Sequence, residues 1–234
     1  MTRPSISYPR IGLVGDSFTA GLYATEGNEF RALLLPTLQA ENSAHGAEQW
    51  YKGGVSGGKM QDAAANLSGF FQLSLQPQIV VLLLGQNDVG GGRTEEEFRA
   101  DTETCMDYVI NNSKAALLVV AIPFQIGWKS SASASGNKAR AFNVILSEEA
   151  AARNCRYLDR WADCMTTNGI SGSGDVSASE ATDEDGYHPN NTGHQELHDA
   201  LWADLQPLIV SALRRGAIGR SSASRSEASG RAAA

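Results

Sequence analysis

The run Gln78-Ile-Val-Val-Leu-Leu-Leu84 constrains this chain more than any other segment. It is continuous, apolar and rich in β-branched residues. A strand with one wet face alternates apolar and polar side chains. A run without that alternation needs cover on both faces, as a central strand of a parallel sheet has. Shorter runs of the same kind are Ile11-Gly-Leu-Val14, Glu48 to Lys52, Ala116-Leu-Leu-Val-Val-Ala-Ile122 and the weaker Cys155-Arg-Tyr-Leu-Asp159. Helical spacing fills the gaps: Glu29 to Gln39, Met60 to Phe71, Thr94 to Asn112, Asn137 to Arg153 and Thr192 to Leu213. Thr94-Glu-Glu-Glu97 has the form of a capping box, and Leu197, Leu201, Leu205, Leu208 and Ile209 form an apolar stripe on the last helix. Strands alternating with helices predict an α/β fold. The expectation is a three-layer α/β/α, flavodoxin-like arrangement with a parallel sheet of about five strands. Ligands in such sheets bind outside the carboxyl ends of the strands.

A length of 234 residues suits one such domain. We place it at 1–213. The remainder, 214–234, is rich in Ser, Ala and Arg, has little to bury and reads as a disordered tail. Hydrophobic residues make up 42% and charged residues 19%, which fits a globular chain. A net charge of −7 argues against nucleic acid as a partner, since phosphate binding needs a basic patch. The N-terminus has no apolar signal-peptide core, and the run ending at Leu84 is too short to span a bilayer. A cytoplasmic protein without an integral membrane segment is expected. Cys105, Cys155 and Cys164 form no CxxC pair, so reduced thiols are expected, with a Cys155–Cys164 bridge as the alternative. Two long polar stretches, 124–136 and 161–185, read as loops.

Four polar segments fall at strand ends or just before the last helix. Gly15-Asp16-Ser17 directly follows the first strand. A serine there sits where backbone N–H groups and a helix dipole favour an anion. Gly53-Gly-Val-Ser-Gly-Gly58 follows the second strand and lets backbone N–H groups come close to a substrate. Gly85-Gln86-Asn87-Asp88 follows the strongest strand, and an Asn amide there can donate to a developing oxyanion. Asp183-Glu-Asp185-Gly-Tyr-His188-Pro-Asn190 precedes the last helix. It supplies a histidine for general-base work and carboxylates to fix its tautomer. Alone, each segment has a plainer reading: a helix cap, a Gly-rich turn, an Asx loop, a solvated histidine. Together they supply nucleophile, oxyanion donors, base and orienting acid on one sheet edge, the parts of a serine acyl-transfer site.

These segments resemble the ordered blocks of the SGNH, or GDSL-type, serine hydrolase superfamily over roughly residues 11–210. Gly-Asp-Ser matches, with Phe18 where the name-giving motif has Leu. Val55-Ser-Gly57, Gly85-Gln-Asn87-Asp88 and Asp185-Gly-Tyr-His188-Pro-Asn match the other three blocks, with Gln86 at a position where the family often has Gly. The resemblance implies a Ser17, His188 and Asp185 triad, with Asp183 and Glu184 as rival acids. It implies an oxyanion hole of Ser17 N–H, Gly57 N–H and the Asn87 side chain. Asp16 is expected to brace the Ser17 turn. Gln86 and Trp128 are expected at the substrate pocket, with Phe124, Ile126 and Trp161 as further walls. No cofactor and no metal are expected. His194 and His198 share a helix face but lack a third ligand, so they read as plain helix surface. The expected activity is hydrolysis of carboxylic esters through an acyl-enzyme, on a small-molecule or carbohydrate ester with a short, acetyl-like acyl group. An acyltransferase, a thioesterase or lysophospholipase, and a non-catalytic binding module on the same fold are the alternatives.

Overall fold

The computed structural model describes residues 10–22, 24–26, 28–29, 32–34, 50–52, 55–123, 133–162 and 188–208. Among the described residues, five strands form one parallel sheet: β1 (Ile11–Gly15), β2 (Trp50–Lys52), β3 (Ile79–Leu83), β4 (Ala116–Val120) and β5 (Arg156–Leu158). Their spatial order is β2-β1-β3-β4-β5. β3 is central and every one of its residues is buried. In register, Ile11 sits beside Ile79 and Val81 beside Leu118.

Alternation along β3 divides the core in two. Val80, Leu82 and Leu84 pack on one face with Val14, Val119, Met60, Phe71, Phe98, Met106 and Phe142. Ile79, Val81 and Leu83 pack on the other with Ile11, Leu13, Leu34, Leu197, Leu201 and Leu205. Both faces are therefore covered by helices, which is why β3 carries no polar residue. This is the three-layer fold expected from the sequence.

Helix ends follow local hydrogen-bonding chemistry. The helix Glu95–Asn112 opens with the expected capping box, Thr94 and Glu97 each bonding the other's backbone N–H. The segment 60–71, expected as one helix, is two: Met60–Ala65 and Leu67–Phe71. Asn66 divides them, with φ −137° and its side-chain oxygen accepting from Gly69 N. A side chain that caps the next helix competes with continuing the previous one. The helix expected from Asn137 starts at Ala134, because Ser133 accepts from Gly136 N and caps it. The last helix covers 191–208, and Asn190 caps its start by accepting from Gly193 N at 3.0 Å. Among the described residues, no helix is long and apolar enough to cross a membrane. Cys105 and Cys155 are free thiols. Cys164, the tail 214–234 and most of both expected long loops lie outside the described residues.

Candidate active site

The order β2-β1-β3 creates a switch point, because the chain passes from β1 to one side for β2 and then crosses back to the other side of β1 for β3. A crevice opens there at the carboxyl ends of β1 and β3. Ser17 follows β1 and Asn87 follows β3. The β1 turn is tight. A Cβ on Gly15 would lie 2.0 Å from Thr19 Oγ1 and 3.0 Å from the Leu83 carbonyl, so this position takes only glycine. Asp16 caps the four-residue helix Ser17–Ala20 by accepting from Phe18 N at 3.0 Å. Ser17 is buried.

Ser17 Oγ lies 2.8 Å from His188 Nε2, across 171 positions of sequence. His188 is placed just ahead of the Asn190 cap of the last helix. The Phe18 ring packs on its imidazole with centroids 5.5 Å apart. On the other side, Val55 N donates to the Gly15 carbonyl at 3.0 Å and ties the glycine turn to the end of β1. Gly57 takes φ 76° within this turn, a left-handed conformation that favours glycine. Asn87 Nδ2 donates to the Gly58 carbonyl at 3.0 Å and faces Asp16 Oδ2 at 3.4 Å. Asp88 Oδ2 accepts from Met60 N at 2.9 Å and anchors the start of the following helix.

A model of the GDSL-like Lipase/Acylhydrolase family matches residues 13–196. The chain belongs to this family. Its general chemistry is the hydrolysis of esters. Solved structures share its fold. TesA is 21% identical with a TM-score of 0.65, covering 85% of this chain and 99% of its own. A variant of Axe2, an acetyl xylan esterase from Geobacillus stearothermophilus, is 18% identical, with a TM-score of 0.65 over 83% of this chain and 93% of its own. The psychrotrophic esterase EstA from Pseudoalteromonas sp., inhibited by monoethylphosphonate, is 16% identical, with a TM-score of 0.66 over 86% and 98%. No curated protein matches the chain.

Of the site residues that this GDSL-family sequence predicts, the fold brings Ser17, His188, Asn87 and the Gly57 turn to one crevice. Asp185, its rivals Asp183 and Glu184, and the pocket residues Trp128, Phe124 and Ile126 lie outside the described residues, as does the side chain of Trp161. Gln86, expected at the substrate pocket, is 3% exposed. It lines a cavity of about 10 Å³ with Asp16, Phe18, Leu84, Ile122 and Pro123, and neither of its amide atoms has a hydrogen-bond partner among the described residues. That volume suits about one water-sized group. His194 and His198 correct the expectation of a helix surface: both are buried. His198 Nδ1 pairs with Asp199 Oδ1 at 2.8 Å. No cluster of metal-binding side chains forms among the described residues.

Two acids stand out in the structure more than in the sequence. Burial pushes the Asp16 carboxyl up to about 7, with further repulsion from Asp88. Burial likewise pushes Asp88 up to about 6, and one of its oxygens has no hydrogen-bond partner among the described residues. Their only signal in the sequence is position: each directly adjoins a proposed catalytic side chain at the end of a buried strand. Folding raises both values, so the folded chain holds these protons more tightly than the unfolded one. The stability they contribute is complete below the ordinary carboxylate value near pH 4 and is lost as pH rises through about 6 and 7. Thermal unfolding is therefore expected at a lower temperature at pH 8 than at pH 5.5. Asp88→Asn keeps an acceptor for Met60 N and removes the charge. It should flatten this profile and gain on the order of 2 kcal/mol at pH 8. An Asp88→Asn profile as steep as the parent's contradicts the assignment.

Proposed function

We propose that this chain hydrolyses short-chain carboxylic esters, acetyl esters first, on a polar carrier such as a sugar, through an acyl-enzyme on Ser17. The observation that carries this reading is the 2.8 Å contact between Ser17 Oγ and His188 Nε2. In that geometry His188 Nε2 accepts the hydroxyl proton as Ser17 Oγ attacks the ester carbonyl. The tetrahedral oxyanion forms beside the N–H groups of Ser17 and Gly57 and the amide of Asn87. Its collapse expels the alcohol, which takes the proton back from His188. Water then enters by the same route in reverse order and releases the acid. Asp185, three positions before His188, is the acid assigned to hold Nδ1–H and stabilise the imidazolium.

The acetyl preference is supported by the absence of a long apolar stretch in the two loop segments, and by the acetyl xylan esterase among the proteins of like fold. Trp128 is assigned to the outer wall of the substrate site. A chain-length series of p-nitrophenyl esters tests the substrate class. We expect kcat/KM to be highest for acetate and to fall by about tenfold or more by octanoate, because a site shaped for an acetyl group has no room for the added methylenes. A clear preference for octanoate contradicts the acetyl assignment while leaving the nucleophile in place.

A further inference from the structure

We propose that Asp16 is a positioning residue for Asn87, its two carboxylate oxygens tying the oxyanion amide to the nucleophile's own turn. The proposal rests on the acyl-enzyme reading above and names the group that keeps its oxyanion donor aligned. The Asn87 amide has two N–H bonds. One is committed to the Gly58 carbonyl at 3.0 Å. The other faces Asp16 Oδ2 at 3.4 Å, a long contact that leaves this hydrogen shareable with charge developing above Ser17. The second Asp16 oxygen accepts from Phe18 N at 3.0 Å. Asp16 thus spans the Ser17 helix and the segment after β3.

Both oxygens accept at once, and an ionised carboxyl does this without turning a donor towards either partner. Asparagine at this position keeps one acceptor and turns an NH₂ against either Phe18 N–H or the Asn87 amide. A protonated Asp16 does the same with its O–H. Among the described residues, three charged or titratable groups bear on this carboxyl. Asp88 repels it and favours the protonated form. Lys59 attracts Asp88 and so acts on Asp16 only through it. His188 lies across Ser17. Burial raises Asp16 to about 7, so it loses its proton close to neutrality. The competent site therefore needs Asp16 deprotonated.

The test is the pH profile of kcat for p-nitrophenyl acetate, with Asp16→Asn beside the parent chain. The parent's acid limb is expected to be steeper in log kcat against pH than that of Asp16→Asn. At pH 8, Asp16→Asn should lose about 10²-fold in kcat with KM within about twofold, the usual cost of a misplaced catalytic group. An Asp16→Asn acid limb as steep as the parent's overturns the proposal. So does an Asp16→Asn enzyme with the parent's kcat. Labelling Ser17 with a phosphonate in both proteins separates the two levels. If the parent labels at Ser17 but Asp16→Asn keeps its kcat and the steepness of its acid limb, only the role of Asp16 fails. If Ser17 does not label in the active parent, the acyl-enzyme reading fails with it.

Discussion

Ser17→Ala is expected to lower kcat for p-nitrophenyl acetate by about 10⁴- to 10⁶-fold without lowering the unfolding temperature by more than a few degrees. The large kinetic effect follows from its place in the mechanism. Without Oγ there is no acyl-enzyme, and what remains is the rate that oxyanion donors and substrate binding give to attack by water. The small structural effect follows from its surroundings. The backbone N–H groups and carbonyls that form the turn are untouched: Gly21 N and Leu22 N still donate to the Ser17 carbonyl at 3.0 Å, and Asp16 still caps from the preceding position. The lost hydroxyl contact is with His188, which is only half-buried and regains a partner in water. Steady-state kinetics together with thermal unfolding check both halves. Activity above about one-hundredth of the parent's would remove Ser17 from the chemistry.

Asn87→Ala is expected to lower kcat by about 10²- to 10³-fold with KM changed by no more than a few fold. A donor aimed at the oxyanion acts on charge that the ground-state ester does not carry, so its loss falls on kcat. The same side chain also bonds the Gly58 carbonyl and faces Asp16. Removing it therefore costs about 1 kcal/mol of stability as well. Stability alone does not imitate the kinetic result, because a folded fraction reduced by heat lowers apparent kcat only near the transition. At 25 °C the two effects separate. A variant with raised KM and intact kcat would place Asn87 in ground-state binding instead.

The sheet is legible in the sequence because its signal is physical and local. Val80, Val81, Leu82 and Leu83 alternate between two cores, and a strand so placed has no polar position to show. Ser17, Asn87 and His188 stand out only in combination: each alone reads as a cap, an Asx loop or a solvated histidine, and it is their shared place at one end of the sheet that points to a site. Caps are harder. Asn66 breaks a helix that its neighbours' spacing favours, and Ser133 starts one inside a stretch whose composition reads as loop. Each decision rests on one side-chain hydrogen bond that periodicity does not register. The histidines of the last helix do carry a readable clue. His194, Leu197, His198, Leu201 and Leu205 follow one helical stripe, and that stripe is the buried one. The raised acids show nothing in the sequence beyond their place beside the site, since the depth of burial of Asp16 and Asp88 comes from segments distant in the chain.

The central claim is that Ser17 is the nucleophile of this GDSL-family chain. The most direct measurement is intact-mass and peptide-level mass spectrometry after incubation with a serine-reactive alkylphosphonate, on the parent chain and Ser17→Ala. One adduct per chain is expected, on the peptide containing Ser17, rising in step with the loss of esterase activity and missing from Ser17→Ala. An active parent that hydrolyses acetate esters yet gains its adduct elsewhere, or a Ser17→Ala chain that labels and loses activity like the parent, would contradict it.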